Sequence, residues 1–366
     1  MFLKHVAALA AIAILAACST SSQAVVSSPS PSQSPSAAPT PPASPASQLG
    51  PGGLTLDEEV GAVIMAGFQG PLTDSVVADF NRHQYGGLLV VNLNHNASSA
   101  SQLTAMIQSL RGAERHRLIA ATDQEGGFVC IAISTVPCSP MPVGQSDTTR
   151  MASALRALGF DLDLGPVSDV CNNSSSIMWG RCYGTTPSGV ASAIGAVVDG
   201  IHGAHMLSAA KHFPGHGDTS VSSETQLPRI DESLATIDQR GLVPFEAAVA
   251  HRTDFVLLGH LFYPSIDPHR SADLSPATVQ ILRGQLGFKG AILSDDMEMG
   301  AITATTPAPE AAVEYLLAGG DMVMIAHHLN VAGATYDAIK AAVLSGRLPR
   351  QRLDDAVATL QAVAAA

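Results

Sequence analysis

The chain has 366 residues, of which 46% are hydrophobic and 14% charged, and its net charge is −12. That much apolar material fills a large core and excludes wholesale disorder, while the acidic balance excludes a nucleic-acid binder, which needs a basic footprint. Past the N-terminus there is no apolar run of about 18 residues, which excludes a helical multi-span membrane protein.

Residues 1–17 read as an export signal. Lys4 and His5 form a polar start, and Val6 to Ala17 is an apolar stretch too short to span a bilayer. It ends in Leu15-Ala16-Ala17-Cys18, which resembles a bacterial lipobox, with Cys18 acylated as the new N-terminus. Acyl chains on Cys18 would anchor the protein to the membrane, facing the cell envelope. An ordinary secretory peptide that happens to contain a Cys is the alternative. Residues 18–53 form the lipidated Cys and a Ser/Pro-rich tether. From Ser19 to Gly50 the chain holds 11 Ser, 7 Pro and no charge, so it lacks apolar surface to offset ordering entropy.

Residues 54–366 read as one alternating α/β domain. Thr55-Leu56-Asp57-Glu58 has the form of a helix capping box, followed by the apolar run Val60 to Met65. Seven β-rich runs follow, at Gly87–Asn92, Leu118–Asp123, Leu162–Asp169, Leu207–His212, Phe255–His260, Ala291–Asp295 and Met322–His327. Helical stretches alternate with them at Ser98–Arg111, Asp147–Leu158, Pro187–His205, Glu232–Ala250, Pro276–Leu286, Pro309–Ala318 and Val331–Leu344. The pattern fits a (β/α)8 barrel with one strand unrecognised, or a doubly wound sheet. The runs end in polar residues: Asn92, Asp123, Asp169, Lys211-His212, His260, Asp295 and His327. Barrel strands converge their C-terminal ends on one site, whereas an open sheet uses a single switch point, so these ends favour the barrel.

Three segments carry candidate chemistry. In Lys211-His212-Phe213-Pro214-Gly215-His216-Gly217-Asp218-Thr219, two His stand four apart, but Pro214-Gly215 forbids the helix that a metal-binding pair would need. The segment reads instead as a clamp for a polar ligand. Ala291 to Asp296 is an apolar strand ending in two carboxylates, which could equally cap the next helix. Asp123-Gln124-Glu125-Gly126-Gly127 places acidic groups before a flexible turn.

From Leu54 to Leu344 these motifs resemble glycoside hydrolase family 3, in its single-domain β-N-acetylglucosaminidase branch. Support comes from Gly165-Pro166-Val167-Ser168-Asp169-Val170, from Gly259-His260 with Tyr263-Pro264, and from Leu274-Ser275-Pro276. The resemblance implies a retaining hydrolase of β-linked amino sugars. The expectation is an exo-acting monomer that needs no metal or cofactor and acts on sugars of cell-wall origin. The resemblance also implies Asp295 as nucleophile. Asp123, Arg181, Lys211 and His212 would hold the sugar, with His216 and Asp218 supporting the loop. A β-glucosidase or other β-glycosidase of the same family, and a catalytically impaired glycan-binding lipoprotein, are the alternatives.

The departures are informative. Where the family carries Asp-Ser-His, with the His as acid/base, this chain reads Ser222-Ser223-Glu224. Pro228 fixes the register, so Glu224 takes the acid/base position. A carboxylic acid can do that work. Two family arginines after Asp-x-Glu-Gly-Gly are replaced by Phe128 and Ile131. Four further cysteines, Cys130, Cys138, Cys171 and Cys182, suggest bridges in an exported protein, in any of three pairings. The local pairs Cys130–Cys138 and Cys171–Cys182 are favoured. Four free thiols are the alternative.

Overall fold

The computed structural model describes residues 49–113, 117–171 and 174–365. The signal residues, Cys18 and the tether up to Gln48 lie outside them. The described chain starts with a 3₁₀ turn, Pro51–Gly53, within the stretch assigned to the tether. The Pro51 carbonyl accepts a hydrogen bond from the Gln361 side chain.

The capping box forms. Thr55 Oγ1 accepts from the Glu58 N–H, and the Glu58 carboxylate accepts from the Thr55 N–H at 2.9 Å. It starts helix α1 (Leu56–Ala62). The apolar run then switches from helix to strand, giving β1 (Ile64–Ala66), the eighth strand that the sequence did not reveal. Residues buried on every side carry no helical or strand period, so the boundary was invisible.

The chain continues through α2 (Asp74–His83), β2 (Gly87–Leu89), α3 (Ala100–Ala113), β3 (Ile119–Thr122), α4 (Gln145–Leu158), β4 (Leu162–Asp163) and α5 (Pro187–His202). Next come β5 (Leu207–Phe213), α6 (Leu234–Thr236), a π turn at Ile237–Gly241, and α7 (Val243–Ala250). Then follow β6 (Phe255–Leu258), α8 (Pro276–Gln280), a second π turn (Ile281–Gln285), β7 (Ala291–Asp296) and α9 (Gly300–Thr303). Last are α10 (Ala308–Ala318), β8 (Met322–Ile325), α11 (Leu329–Leu344) and α12 (Arg350–Ala365). Thus α2, α9 and α12 are additional to the predicted helices, and the predicted Glu232–Ala250 and Pro276–Leu286 each contain a π turn.

The eight strands are parallel and close into a barrel, β1 pairing with both β2 and β8. A (β/α)8 barrel therefore replaces the doubly wound alternative. Strands such as Phe255–Leu258 and Met322–Ile325 are buried throughout, as parallel strands covered by helices must be. β4 pairs over only two residues, shorter than the predicted Leu162–Asp169. Register shifts occur between Ala210 and Phe213 on β5 and between Leu293 and Asp296 on β7. Irregularities of this kind re-aim side chains, and here they fall on the two strands with the richest chemistry.

Candidate active site

A cleft of about 330 Å³ opens at the C-terminal ends of the strands. It gathers Asp123, Arg181, Lys211, His212, Glu224 and Asp295 among its walls, so these six predicted residues meet in one place. His216 also lines it.

The clamp is built around a residue missing from the predicted set. Glu125 is buried at the β3 end. Arg181 grips it with Nε at 2.8 Å and a terminal nitrogen at 2.6 Å, and Lys211 Nζ lies 2.7 Å from it. Burial pushes the Glu125 carboxyl up, but the Lys211 charge and the Arg181 contacts outweigh it and hold it at about 2. Lys211 also donates to Asp123 at 2.5 Å. Burial lowers the Lys211 pKa, yet the two carboxylates carry it above the usual lysine range. The signal for Glu125 was its place in the Asp-x-Glu-Gly-Gly turn. Deeper, Asp163 accepts from the Gln124 N–H, and burial raises its carboxyl to about 8.

His212 is positioned by Asp169, whose carboxylate lies 2.8 Å from its Nδ1 and also accepts from the His216 N–H. His216 is buried, and desolvation and the nearby His212 push its pKa down to about 4. Asp218 sits 2.9 Å from Arg240, off the cleft wall, and burial and Glu232 raise its pKa to about 7. Asn92 instead braces the β3 loop, donating to the Cys130 carbonyl and accepting from the Ala132 N–H.

The two adjacent carboxylates on β7 differ. Asp296 accepts from the Ala326 and Glu298 N–H groups, and desolvation raises it to about 7. Burial pushes Asp295 up as well, but the nearby His212 and His260 hold it below the ordinary aspartate range. His260 is fully buried, donates Nε2–H to the Asp296 carbonyl, and has Nδ1 at 3.1 Å from Asp273. Burial lowers the His260 pKa, yet Asp273 carries it up to about 9. In the sequence Asp169 and His260 stand at strand ends and within the motifs of the resemblance, and Asp296 is the second of two adjacent carboxylates, but none of the three has an assigned role there.

Glu224 enters on a loop. Ser222 Oγ accepts from the Glu224 N–H. The Glu224 and Ser223 carbonyls accept from the Gly300 and Ala301 N–H groups at the start of α9. A side chain at Gly300 would collide with the Glu224 and Thr225 carbonyls, so glycine permits this docking. Desolvation and the Asp295 charge raise the Glu224 pKa above its ordinary value.

Two disulfides brace the rim, Cys130–Cys138 and Cys171–Cys182, the local pairing. Among the described residues, no cluster of His, Cys, Asp and Glu suits a metal ion.

A parallel barrel with carboxylates, a lysine and histidines converging on one C-terminal cleft is the framework of a glycoside hydrolase. The glycosyl hydrolase family 3 N-terminal domain matches residues 55–363, and the chain belongs to that family. It is similar to a beta-hexosaminidase of Stenotrophomonas maltophilia strain K279a, with 34% identity over 65% of this chain and 76% of the relative. A beta-hexosaminidase of Tolumonas auensis is 30% identical over 76% of this chain and 86% of its own length. Among solved structures, the glycoside hydrolase family 3 beta-N-acetylglucosaminidase of Paenibacillus sp. FPU-7 superposes with a TM-score of 0.81 at 32% identity. The match covers 85% of this chain and 62% of that one. Beta-N-acetylhexosaminidase from Beutenbergia cavernae gives 0.79 at 25% identity, over 86% of this chain and 99% of that one.

Proposed function

We propose that the protein is a retaining, exo-acting β-N-acetylglucosaminidase in which Asp295 is the nucleophile and Glu224 the acid/base. One observation carries the reading: two carboxyl groups line one cleft with their pKa values pushed apart, Asp295 down and Glu224 up. That separation is what acid and nucleophile roles require at one pH. The hexosaminidase names of its relatives support an amino-sugar substrate, and the similar Paenibacillus structure, a beta-N-acetylglucosaminidase, supports the N-acetylglucosamine preference.

In this mechanism the sugar is held by the Asp123–Lys211–Glu125–Arg181 network. Ionised Asp295 attacks the anomeric carbon while protonated Glu224 gives its proton to the departing oxygen. A glycosyl-enzyme ester forms and the aglycone leaves neutral. Glu224, now ionised, takes a proton from water, whose oxygen displaces Asp295 and restores the β configuration.

The test is Glu224→Gln. General acid–base help is worth roughly 10²–10⁴-fold, so poor leaving groups should lose about that much rate. Activated nitrophenyl glycosides should still form the ester, and azide, which needs no base, should turn it over to a β-glycosyl azide. Equal activity on good and poor leaving groups would remove Glu224 from the mechanism. Binding without hydrolysis by the wild-type protein would support the glycan-binding alternative.

The proposal extends to location: a Cys18-linked lipid anchors the enzyme to the membrane on the envelope side, and the Ser/Pro-rich tether gives it reach. Cys18→Ala should then release soluble enzyme of unchanged activity. Retention of that variant in the membrane fraction would refute lipid anchoring through Cys18.

A further inference from the structure

Nine large hydrophobic side chains are exposed among the described residues; of these Leu93 and Ile177 line the cleft, and Phe128 and Trp179 adjoin its lining residues Val129 and Met178 in the chain. Exposed apolar side chains scattered singly need no explanation, but a cluster at the mouth of a site does. Phe128 is 71% exposed and Trp179 49%.

The local structure holds them there. Gly126 and Val129 exchange both backbone hydrogen bonds, so Gly127 and Phe128 form the tip of a tight hairpin. Gly127 has φ of +63°, which a side chain would resist. Phe128 lies against Gly180, the residue after Trp179, with a ring carbon 3.1 Å from where a Cβ would sit. The Ile177 N–H donates to the Thr219 carbonyl, joining this rim to the loop that leads to Glu224. The Cys130–Cys138 bridge braces the Phe128 arm and the Cys171–Cys182 bridge the Trp179 arm.

Charge narrows what this lip can receive. Five carboxylates line the cleft: Asp123, Glu125, Glu224, Asp295 and Asp296. Lys211 and Arg181 are committed to Asp123 and Glu125, and His212 to Asp169. His327, also on the wall, is held below the usual histidine range by desolvation. Among the described lining residues no cation is left to meet an anionic aglycone, and Phe128 and Ile131 stand where the resemblance would place arginines.

We propose that Phe128 and Trp179 form the leaving-group subsite, a platform for the apolar face of a second, uncharged sugar ring. The preferred substrate is then a neutral β-linked disaccharide such as diacetylchitobiose, and an aglycone with a carboxylate, as on a muramyl residue, is disfavoured. This rests on the glycosidase reading, and it redirects the expectation of a cell-wall substrate. Aromatic rings suit the role because they supply rigid contact area on which a sugar's C–H face stacks.

Trp179 is the sole tryptophan of the chain, so its fluorescence reports on this lip directly. Uncleavable thio-linked diacetylchitobiose should shift Trp179 emission as it saturates the protein. Methyl β-N-acetylglucosaminide, which lacks the second ring, should bind without the shift. In kinetics, Phe128→Ser/Trp179→Ser should lower kcat/KM for diacetylchitobiose by about tenfold, with less than about a twofold change for the methyl glycoside. Wild-type enzyme should prefer diacetylchitobiose to the N-acetylglucosaminyl–muramyl disaccharide, and Phe128→Arg should narrow that preference. Saturation with no emission change, equal losses on both glycosides, or a wild-type preference for the muramyl disaccharide would each overturn the proposal. An emission shift with no hydrolysis of any substrate would sink the glycosidase reading and leave the platform standing.

Discussion

The two ends of the barrel use buried carboxylates in opposite ways. At the N-terminal end, an Asp precedes β4, β6 and β8, and each reaches across to the strand before it. Asp161 accepts from the Ala120 N–H, Asp254 from Ser208 and Asp321 from Ile292. Basic partners close the arrangement: Arg111, Arg117 and Arg156 around Asp161, Arg283 and Arg352 around Asp321, and His202 at Asp254. These carboxylates are hydrogen-bonded to a strand N–H and to a basic side chain, and they lock strand register. At the C-terminal end the carboxylates outnumber their cations, and burial and neighbours spread their pKa values from about 2 at Glu125 to about 8 at Asp163. Pairing makes one end a brace, and incomplete pairing makes the other reactive.

The sharpest test of that division is Asp295→Asn. It removes an attacking charge at the reactive end and should cut turnover by more than about 10⁴-fold while barely moving the unfolding midpoint. A 2-fluoro glycoside should label Asp295 in the wild-type protein. Labelling of Asp296, or a large stability loss in the variant, would erase the contrast.

The opposite substitution is Asp321→Ala. It removes the carboxylate shared by Arg283 and Arg352 and the acceptor of the Ile292 N–H, and breaking such a buried arrangement costs about 3 kcal/mol. The denaturant midpoint should fall, while the folded variant keeps its kcat/KM. A selective loss of activity at unchanged midpoint would show that the N-terminal end is not merely structural.

A smaller effect should appear with pH. Glu125 has its folded pKa depressed, so its stabilising contribution is fully present above the ordinary value of 4.5 and is lost as pH falls toward about 2. For activity the signs differ by residue. Asp295 must be ionised, and its lowered pKa moves the acid limb below the ordinary aspartate range. Glu224 must be protonated, so the alkaline limb follows its raised pKa. The kcat/KM profile on a poor leaving group should be a bell, and Glu224→Gln should abolish its alkaline limb. An alkaline limb that survives in Glu224→Gln would assign it to another group.

Most of the barrel was legible in the sequence, because buried parallel strands read as apolar runs and amphipathic helices read by period. The capping box at Thr55 and the polar strand ends were equally local signals. β1 was not legible, since Ile64–Ala66 continues an apolar run in which helix and strand look alike. Nor was Glu125's place at the hub of the clamp, because its partners Lys211 and Arg181 come from distant segments. Composition and motif order determined the strand–helix alternation, the family and the residues that could react. Tertiary structure alone decided what each carboxylate does. Asp295 and Asp296 are neighbours on one strand, yet Asp295 is held below its ordinary pKa beside His212 and His260, while desolvation lifts Asp296 to about 7. A carboxyl group's charge is set by its desolvation and by the charges around it, and the folded barrel is what brings those together.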